Sequence, residues 1–260
     1  MPNPPPNYVP GHGLLRDKRV VVTAAAGTGI GYATARRCAE EGARVLISDI
    51  HERRLAEAAE RLEAETGHKA ETSLCNVTKE ADVEALLAAA SDAFGEIDIL
   101  VNNAGMGGNA PLVEMTDEQW NLVMDVTLNG TFRMTRAAMR HMMPHGNGVI
   151  VNNASVLGWR AQKLQAHYAA AKAGVMALTR CAALEAAEAN VRINCVAPSI
   201  AMHAFLSKVT PDGLLEELTS REAFGRAAEV WEVANVIVFL ASDYSSYMTG
   251  ETISVSSQRA

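Results

Sequence analysis

The chain has 260 residues, of which 48% are hydrophobic, 20% are charged and 5% are aromatic. This balance is typical of one globular enzyme domain and excludes a disordered chain, and no stretch approaches the roughly 20 apolar residues of a membrane helix. The formal net charge of −7 offers no broad basic surface, which argues against nucleic acid as a partner and leaves a small molecule as the expected one.

The first residues, MPNPPPNYVPGHG, lack the charged start and apolar stretch of a signal peptide. Their prolines predict an extended arm over 1–13, followed by a single domain over 14–260. We expect a mobile arm, with packing on a neighbouring subunit as the alternative. The four cysteines are widely spaced and form no C-x-x-C pair, which predicts buried thiols in a reducing compartment and a cytoplasmic protein.

From Arg19 onward, short β-branched runs alternate with Ala-rich stretches of helical spacing. The predicted strands cover 19–24, 44–48, 69–75, 97–103, 148–154, 191–197 and 252–255. The predicted helices cover 29–41, 51–65, 79–94, 117–142, 165–189 and 229–241. This alternation predicts an α/β fold, a parallel sheet with helices on both faces and ligands at the carboxyl ends of the strands. Residues 203–226 interrupt it and are interpreted as an inserted helical lid over that edge.

The first predicted strand runs into a glycine turn, AAAGTGIGYATARR, that precedes a helix. Gly27, Gly29 and Gly31 would let the backbone approach a pyrophosphate, which the free amides and positive dipole of the helix start stabilise. Asp49 follows about 20 residues later at the end of the second strand, as expected for a dinucleotide site.

Asp49 also bears on the choice of cofactor. A carboxylate there can hydrogen-bond the adenosine ribose hydroxyls and would repel a 2′-phosphate, so NAD(H) is favoured over NADP(H). NADP(H) stays possible, because His51, Arg53 and Arg54 follow within two turns and could neutralise a phosphate.

Tyr168 and Lys172 are four residues apart in the helical stretch HYAAAK, so their side chains project from one face. Ser155 ends the preceding strand, thirteen residues before Tyr168. A free tyrosine, with pKa ~10, is a poor base near neutrality, and a nearby ammonium lowers that value. Ser155 could hold a substrate oxygen by a hydrogen bond. The three residues therefore predict a hydride-transfer enzyme that interconverts an alcohol and a ketone.

Ser155, Tyr168-x-x-x-Lys172, the glycine turn and Asn102-Asn103-Ala104-Gly105, in this order, resemble the short-chain dehydrogenase/reductase family over most of the chain, and the chain is similar to its 3-oxoacyl-thioester reductases. The resemblance implies a Rossmann-like, doubly wound, seven-stranded parallel sheet in the order 3-2-1-4-5-6-7. It implies Tyr168 as general acid/base, with Lys172 binding the nicotinamide ribose and lowering the Tyr168 pKa. It also implies a homotetramer built through the helices 117–142 and 165–189.

By the same resemblance, Asn76 would lie near the adenine, Asn103 near its ribose, and the Ala201 backbone near the nicotinamide carboxamide. The full set of implied cofactor contacts is Gly27, Thr28, Gly29, Ile30, Gly31, Asp49, Asn76, Val77, Asn103, Ala104, Gly105, Tyr168, Lys172, Pro198 and Ala201.

The sequence departs from the family pattern in four places. The family turn reads Thr-Gly-x-x-x-Gly-x-Gly, and Ala24 and Ala25 occupy its first two positions. Thr127 aligns with an asparagine that belongs to a proton relay, which makes it the fourth candidate catalytic residue. The other two departures are Pro198-Ser199 in place of Pro-Gly, with His203 at the position of a following threonine, and Ser256-Ser257 in place of Gly-Gly.

Substrate specificity is expected from the loop after Ser155 and from the 203–226 lid. Apolar area there comes from Leu157, Trp159, Phe205, Leu206 and Leu214, for which core packing is the alternative role. We expect an acyl thioester or a carbocyclic, steroid-like ring alcohol as the substrate. The alternative function is a non-catalytic dinucleotide-binding sensor or scaffold, which the departures at Thr127 and Ser199 would favour.

Overall fold

A computed structural model describes residues 3–203 and 213–257. Its strands are β1 (Arg19–Thr23), β2 (Arg44–Asp49), β3 (Glu71–Leu74), β4 (Ile99–Asn102), β5 (Gly148–Asn153), β6 (Val191–Pro198), β7 (Ala201–Met202), β8 (Ala228–Glu229) and β9 (Thr252–Val255). Its α-helices are α1 (Ile30–Glu40), α2 (Glu52–Thr66), α3 (Glu80–Phe94), α4 (Asp117–Met124), α5 (Gly130–Met142), α6 (Ala166–Ala187), α7 (Leu214–Ser220) and α8 (Val230–Ala241). Within these described residues, no helix is long and apolar enough to cross a membrane.

Seven parallel strands form the main sheet in the order β3-β2-β1-β4-β5-β6-β9. The expected order is thereby confirmed, since β7 and β8 pair only with each other and β9 is the seventh strand of the sheet. The order reverses between β1 and β4, and the crevice outside the carboxyl ends of strands at such a point is where doubly wound sheets bind ligands.

Both faces of the sheet are covered. Val20 and Val22 in β1 belong to a buried cluster with residues of α1, α2 and α8, whereas Val21 belongs to a second cluster with residues of α3, α5 and α6. Because successive side chains of a strand point to opposite faces, a strand buried on both sides must be apolar throughout. This explains the run Val20-Val21-Val22.

The predicted helix over 117–142 is not continuous. A π-helical turn at Asp125–Asn129 separates α4 from α5. The turn accommodates one extra residue per hydrogen-bonded ring, and Thr127 at its centre is completely buried. The 3.6-residue spacing of apolar side chains continues on both sides of the turn, so the sequence pattern did not reveal the interruption.

The amino-terminal arm lies on its own subunit. The Tyr8 ring meets Trp231 of α8 edge-on, with 5.4 Å between ring centroids. Glu41, which is completely buried after α1, accepts hydrogen bonds from the backbone N–H groups of His12 (2.8 Å) and Leu14 (2.9 Å) and forms an ion pair with Arg37. Burial alone raises the pKa of Glu41, but these donors and the Arg37 guanidinium outweigh it and hold the pKa below its usual value. The arm was expected to be mobile, but in the structure it is docked on α8 and on the end of α1.

Three of the four cysteines are buried, as expected: Cys38, Cys75 and Cys195. Cys181 is exposed on α6, so the prediction is wrong at that position. Its neighbours Ala182 and Ala183 point into the core instead, because they lie on the opposite side of the helix.

Candidate active site

The structure brings Ser155, Tyr168 and Lys172 together at the carboxyl edge of the sheet. Ser155 follows β5 and opens a short 3₁₀ turn, where its Oγ accepts a hydrogen bond from the backbone N–H of Leu157 at 3.2 Å. That turn packs on α6, which carries Tyr168 and Lys172 one turn apart. Lys172 is 4% exposed, and its Nζ lies 5.6 Å from the centre of the Tyr168 ring.

The protonation states of this cluster follow from burial. Burial raises the pKa of Tyr168, and a hydrogen bond with Ser155 acts in the opposite direction. Burial lowers the pKa of Lys172 to about 8, with a small opposing effect from Cys195. The ammonium donates a hydrogen bond to the backbone carbonyl of Asn153 at 2.5 Å. At neutral pH Tyr168 therefore holds its proton, and Lys172 presents a positive charge near the tyrosine ring.

A glycine-rich loop after β4 covers this pair. A Cβ atom on Gly105 would lie 3.3 Å from Lys172 Nζ, and one on Gly107 would lie 3.3 Å from Cδ2 of Tyr168. Thr127 holds the loop between them, because its Oγ1 accepts from the Met106 N–H at 3.1 Å and donates to the Met106 carbonyl at 3.0 Å. Thr127 therefore contributes to the site by fixing the backbone of the loop after β4.

Asn103 joins the ends of three strands. Its Nδ2 donates to the carbonyls of Thr23 (3.2 Å) and Ala24 (3.1 Å) in the glycine turn, and its Oδ1 accepts from Nδ2 of Asn153 at 2.9 Å. The Thr23 hydroxyl accepts from the N–H groups of Asn103 and Ala104 at 3.0 and 3.1 Å. The predicted ribose contact at Asn103 thus lies in the crevice, where its amide also fixes the path of the glycine turn.

Gly31 closes this arrangement. A Cβ there would lie 2.4 Å from both the Ala24 carbonyl oxygen and Nδ2 of Asn103. The first is a backbone atom and the second is held by two hydrogen bonds, so neither can move away freely.

We expect Gly31→Ala to lower the thermal midpoint and to abolish measurable NADH binding in a fluorescence titration. Gly27→Ala is the control for the thermal midpoint alone, since a Cβ there would meet only the Gly29 nitrogen at 3.9 Å and Gly27 itself belongs to the expected pyrophosphate turn. Unchanged NADH binding in Gly31→Ala would contradict the prediction.

Asp49, which was predicted to meet the adenosine ribose, ends β2 and is 9% exposed. Its carboxylate accepts from the backbone N–H groups of Ala26 (3.3 Å) and His51 (3.1 Å), and Nη2 of Arg54 lies 4.0 Å away. Burial raises the Asp49 pKa, while these N–H groups and Arg54 act against that effect. Arg53 points outward to Glu57. Of the two arginines after β2, only Arg54 therefore approaches the carboxylate.

The match to known proteins covers nearly the whole chain. A family model described as enoyl-(acyl carrier protein) reductase matches residues 24–257. The chain belongs to the short-chain dehydrogenase/reductase family. Its members are oxidoreductases that use nicotinamide dinucleotides and act on hydroxyl and ketone groups, which disfavours the sensor alternative for this chain.

One relative of this dehydrogenase/reductase is (5R,7aS)-5-hydroxy-7a-methyl-1-oxo-2,3,5,6,7,7a-hexahydro-1H-indene-carboxyl-CoA reductase of Mycobacterium tuberculosis, 62% identical over 97% of each chain. Another is the 3-oxoacyl-[acyl-carrier-protein] reductase FabG of Thermotoga maritima, 39% identical over 93% of this chain and 97% of the relative. Among solved structures, a short chain dehydrogenase from Mycobacterium smegmatis matches with a TM-score of 0.87 and 57% identity over 98% of each chain.

Two departures from the family pattern share one partner in the structure. The hydroxyl groups of Ser199 and Ser257 both donate to Oε2 of Glu222, at 3.2 and 3.0 Å, and Glu222 is 6% exposed. Pro198 ends β6 just before this contact. The serines that replace family glycines therefore connect the ends of β6 and β9 to the segment after α7 through a buried carboxylate.

The remaining predicted cofactor residues follow β3, lie at the start of α1 or lie in β7. Oδ1 of Asn76 accepts from the N–H and hydroxyl of Thr78 at 3.0 and 2.8 Å, which caps the turn before α3. Val77 is buried, and its Cγ2 lies where a Cβ on Gly130 would collide, at 2.7 Å. Thr28 is exposed and Ile30 partly buried where α1 begins, and Ala201 is buried in β7.

On the substrate side, Leu157 and Trp159 lie in and after the 3₁₀ turn that begins at Ser155, and Trp159 is 53% exposed. Leu214 is the first residue of α7 and is partly buried. Phe205 and Leu206 lie outside the described residues. His203 contacts the glycine turn, since its ring lies 3.7 Å from where a Cβ on Gly29 would be.

Three supporting residues were missed by the sequence analysis: Thr23, Asn153 and Glu222. Asn153 carried a signal, because Asn152-Asn153 at the end of β5 repeats Asn102-Asn103 at the end of β4, and these strands are neighbours. Glu222 carried none, since it lies in a short charged segment after α7 that has no strand or helical period.

Proposed function

We propose that this dehydrogenase/reductase uses NAD(H) to interconvert a secondary alcohol and a ketone on a fused-ring carboxyl-CoA thioester. The observation that carries the substrate proposal is the 62% identity, over 97% of both chains, to a reductase of a hydroxy-oxo-hexahydroindene-carboxyl-CoA. The exposed Trp159, at the other end of the 3₁₀ turn that begins at Ser155, supports it, because it offers apolar area to a carbocyclic substrate.

The crevice fits a dinucleotide by its own chemistry. The N-cap residue of helix α1 is Gly29, which has no side chain to cap the helix, and the first turn contains no acidic residue. Its free N–H groups and positive dipole therefore suit a pyrophosphate. In this proposal Asp49 accepts hydrogen bonds from ribose hydroxyls. Lys172 lies beside the loop Gly105–Gly108. When bound, the cofactor would supply or accept the hydride.

In the direction of reduction, the chain's own residues handle the substrate oxygen. Ser155 donates a hydrogen bond to the carbonyl oxygen and orients it, and Tyr168 transfers its proton to that oxygen as negative charge develops there. The Lys172 ammonium stabilises the resulting phenolate electrostatically. In oxidation the phenolate takes the proton back from the alcohol.

The proposal is tested with purified protein by following NADH and NADPH absorbance with three ketone classes: a fused-ring carboxyl-CoA, acetoacetyl-CoA, and the matching ring ketone as a free acid. We expect the highest kcat/KM for the fused-ring thioester. Higher kcat/KM for acetoacetyl-CoA would replace the ring substrate by a linear one, and equal rates with the free acid would exclude the thioester as a recognition element.

The cofactor preference is expected to depend on Asp49. NADH should bind at least about tenfold more tightly than NADPH, because a buried carboxylate at the end of β2 would repel a 2′-phosphate. Asp49→Ser removes that repulsion and should bring the two Kd values close together in a fluorescence titration. Glu57→Ser is the control, since Glu57 is an exposed acid paired only with Arg53 in the described structure. Tighter NADPH binding by the wild type would overturn the preference.

We also propose a homotetramer built through α4, α5 and α6. In support of it, Leu122 on α4 and Phe132 on α5 are 52% and 42% exposed on an isolated subunit. Met134 and Met142 on α5 and Met176 on α6 are buried in the subunit core, so they do not contribute to such an interface. Sedimentation of the wild type against Leu122→Glu tests the assembly, and a wild-type monomer would contradict it.

A further inference from the structure

The glycine turn at residues 24–29 cannot stabilise itself with its own side chains. It reads Ala-Ala-Ala-Gly-Thr-Gly, so its one polar side chain is Thr28, which is exposed. The family pattern begins with a threonine, and Ala24 lacks that hydroxyl group. Ala24 also has a positive φ of 52°, a left-handed conformation that is strained for an alanine. Side chains from outside the turn must therefore hold its shape.

Three side chains, each from a different element, form hydrogen bonds to the turn. Asn103 at the end of β4 donates to the Ala24 carbonyl at 3.1 Å. Asp49 at the end of β2 accepts from the Ala26 N–H at 3.3 Å. Arg61 in the middle of α2 donates through Nη2 to the Gly27 carbonyl at 2.7 Å. The first two belong to the expected dinucleotide site, whereas Arg61 has no role in the family pattern.

The Arg61 guanidinium stacks on the Tyr32 ring, and Glu65 fixes that ring in turn. Its Cζ lies 3.6 Å from the centre of the Tyr32 ring in α1, and the Tyr32 hydroxyl donates to Glu65, one turn after Arg61, at 3.0 Å. Its Nε is buried with no hydrogen-bond partner among the described residues, which is acceptable for a group stacked on an aromatic face. A charged donor in this half-buried setting makes a strong hydrogen bond to the carbonyl.

The orientation of the Gly27 carbonyl also determines where the Thr28 N–H points, because both groups belong to one planar peptide. In a planar trans peptide the carbonyl oxygen and the N–H of the next residue point in opposite directions. By fixing the Gly27 carbonyl toward itself, Arg61 fixes the Thr28 N–H to point away from α2. N–H groups at this turn and at the adjoining start of α1 are the groups that suit a pyrophosphate.

We propose that Arg61 is a positioning residue for the dinucleotide: it sets the orientation of the Gly27–Thr28 peptide and replaces the internal support that a threonine hydroxyl at position 24 would give. The inference rests on the proposed function only in that a nicotinamide dinucleotide binds at this turn. Arg61 lies in α2, away from Tyr168 and Lys172, so it acts on affinity for the cofactor and leaves the chemical step unchanged.

The test compares Arg61→Met, Arg61→Lys and Arg53→Met by fluorescence titration with NADH and with NADPH, by thermal denaturation, and by kcat at saturating cofactor. Methionine keeps an aliphatic stem on Tyr32 and removes the donor, and lysine restores a charged donor. Arg53 is the matched control on the same helix, because it is exposed and contacts Glu57. Titrating both cofactors separates a wrong cofactor assignment, visible in the wild type, from a wrong role for Arg61.

We expect Arg61→Met to raise the Kd of the preferred cofactor by about tenfold, the effect of losing one charged hydrogen bond, with kcat unchanged. Arg61→Lys should recover part of the affinity, and Arg53→Met should match the wild type. A lower thermal midpoint in Arg61→Met with an unchanged Kd would overturn the proposal and leave Arg61 a packing residue. An equal loss of affinity in Arg53→Met would overturn it in favour of a general effect of positive charge.

Discussion

Tyr168→Phe is expected to lower kcat for ketone reduction by about 10³-fold or more, within the range that a positioned general acid contributes. The variant keeps the ring that lies beside Lys172 and under the loop at Gly107. Its Kd for NADH should therefore stay within about twofold of the wild type, and the loss should appear in kcat. Steady-state NADH oxidation at saturating ketone, with a parallel binding titration, measures both quantities.

The pH dependence distinguishes proton transfer from a packing defect. Because burial raises the Tyr168 pKa, the tyrosine is protonated at neutral pH, so reduction should be independent of pH there and decline as the pH rises through that pKa. Oxidation needs the phenolate and should rise over the same interval. The residual activity of Tyr168→Phe should lack this dependence. Tyr244→Phe is the control, since Tyr244 is 75% exposed. Tyr168→Phe with more than a tenth of wild-type kcat would exclude Tyr168 as the acid.

The position of the site was predictable because the fold and the site depend on the same strand ends. The apolar run Val20-Val21-Val22 indicates a strand covered on both faces, and the chain beyond its carboxyl end must reach the crevice where the sheet order reverses. Ser155 and Asn103 also follow strands, so one topology brings both to the same edge. The four-residue spacing of Tyr168 and Lys172 is enough to predict that both side chains lie on one helix face.

The contacts that adapt the family pattern to this chain were not predictable from local sequence. Thr127 occupies a π-helical turn that the apolar periodicity does not reveal, and its hydroxyl holds the Met106 backbone. Ser199 and Ser257 are 58 residues apart and share Glu222, which is remote from both in sequence. Such tertiary contacts depend on the folded arrangement, since no helical or strand period relates the partners.

Lys172→Met is expected to stabilise the cofactor-free protein at pH 7 while abolishing ketone reduction. In the folded chain the Lys172 pKa is about 8, against an ordinary value of 10.5, so the folded state binds this proton more weakly than the unfolded state does. At pH 7 the shift corresponds to about 3 kcal/mol of unfavourable free energy, from which about 1 kcal/mol is subtracted for the lost hydrogen bond to Asn153. The variant should therefore have a higher thermal midpoint.

The sign of the effect makes the prediction specific to this lysine. A group whose folded pKa is depressed by burial of its positive charge destabilises the fold below that pKa, and the wild type regains stability as the pH rises from about 8 to 10.5. The advantage of Lys172→Met should consequently shrink between pH 7 and pH 10. Lys163→Met, at an exposed position, should show no such convergence. If Lys172→Met instead melts below the wild type at both pH values, the buried ammonium stabilises the fold, and the prediction is wrong.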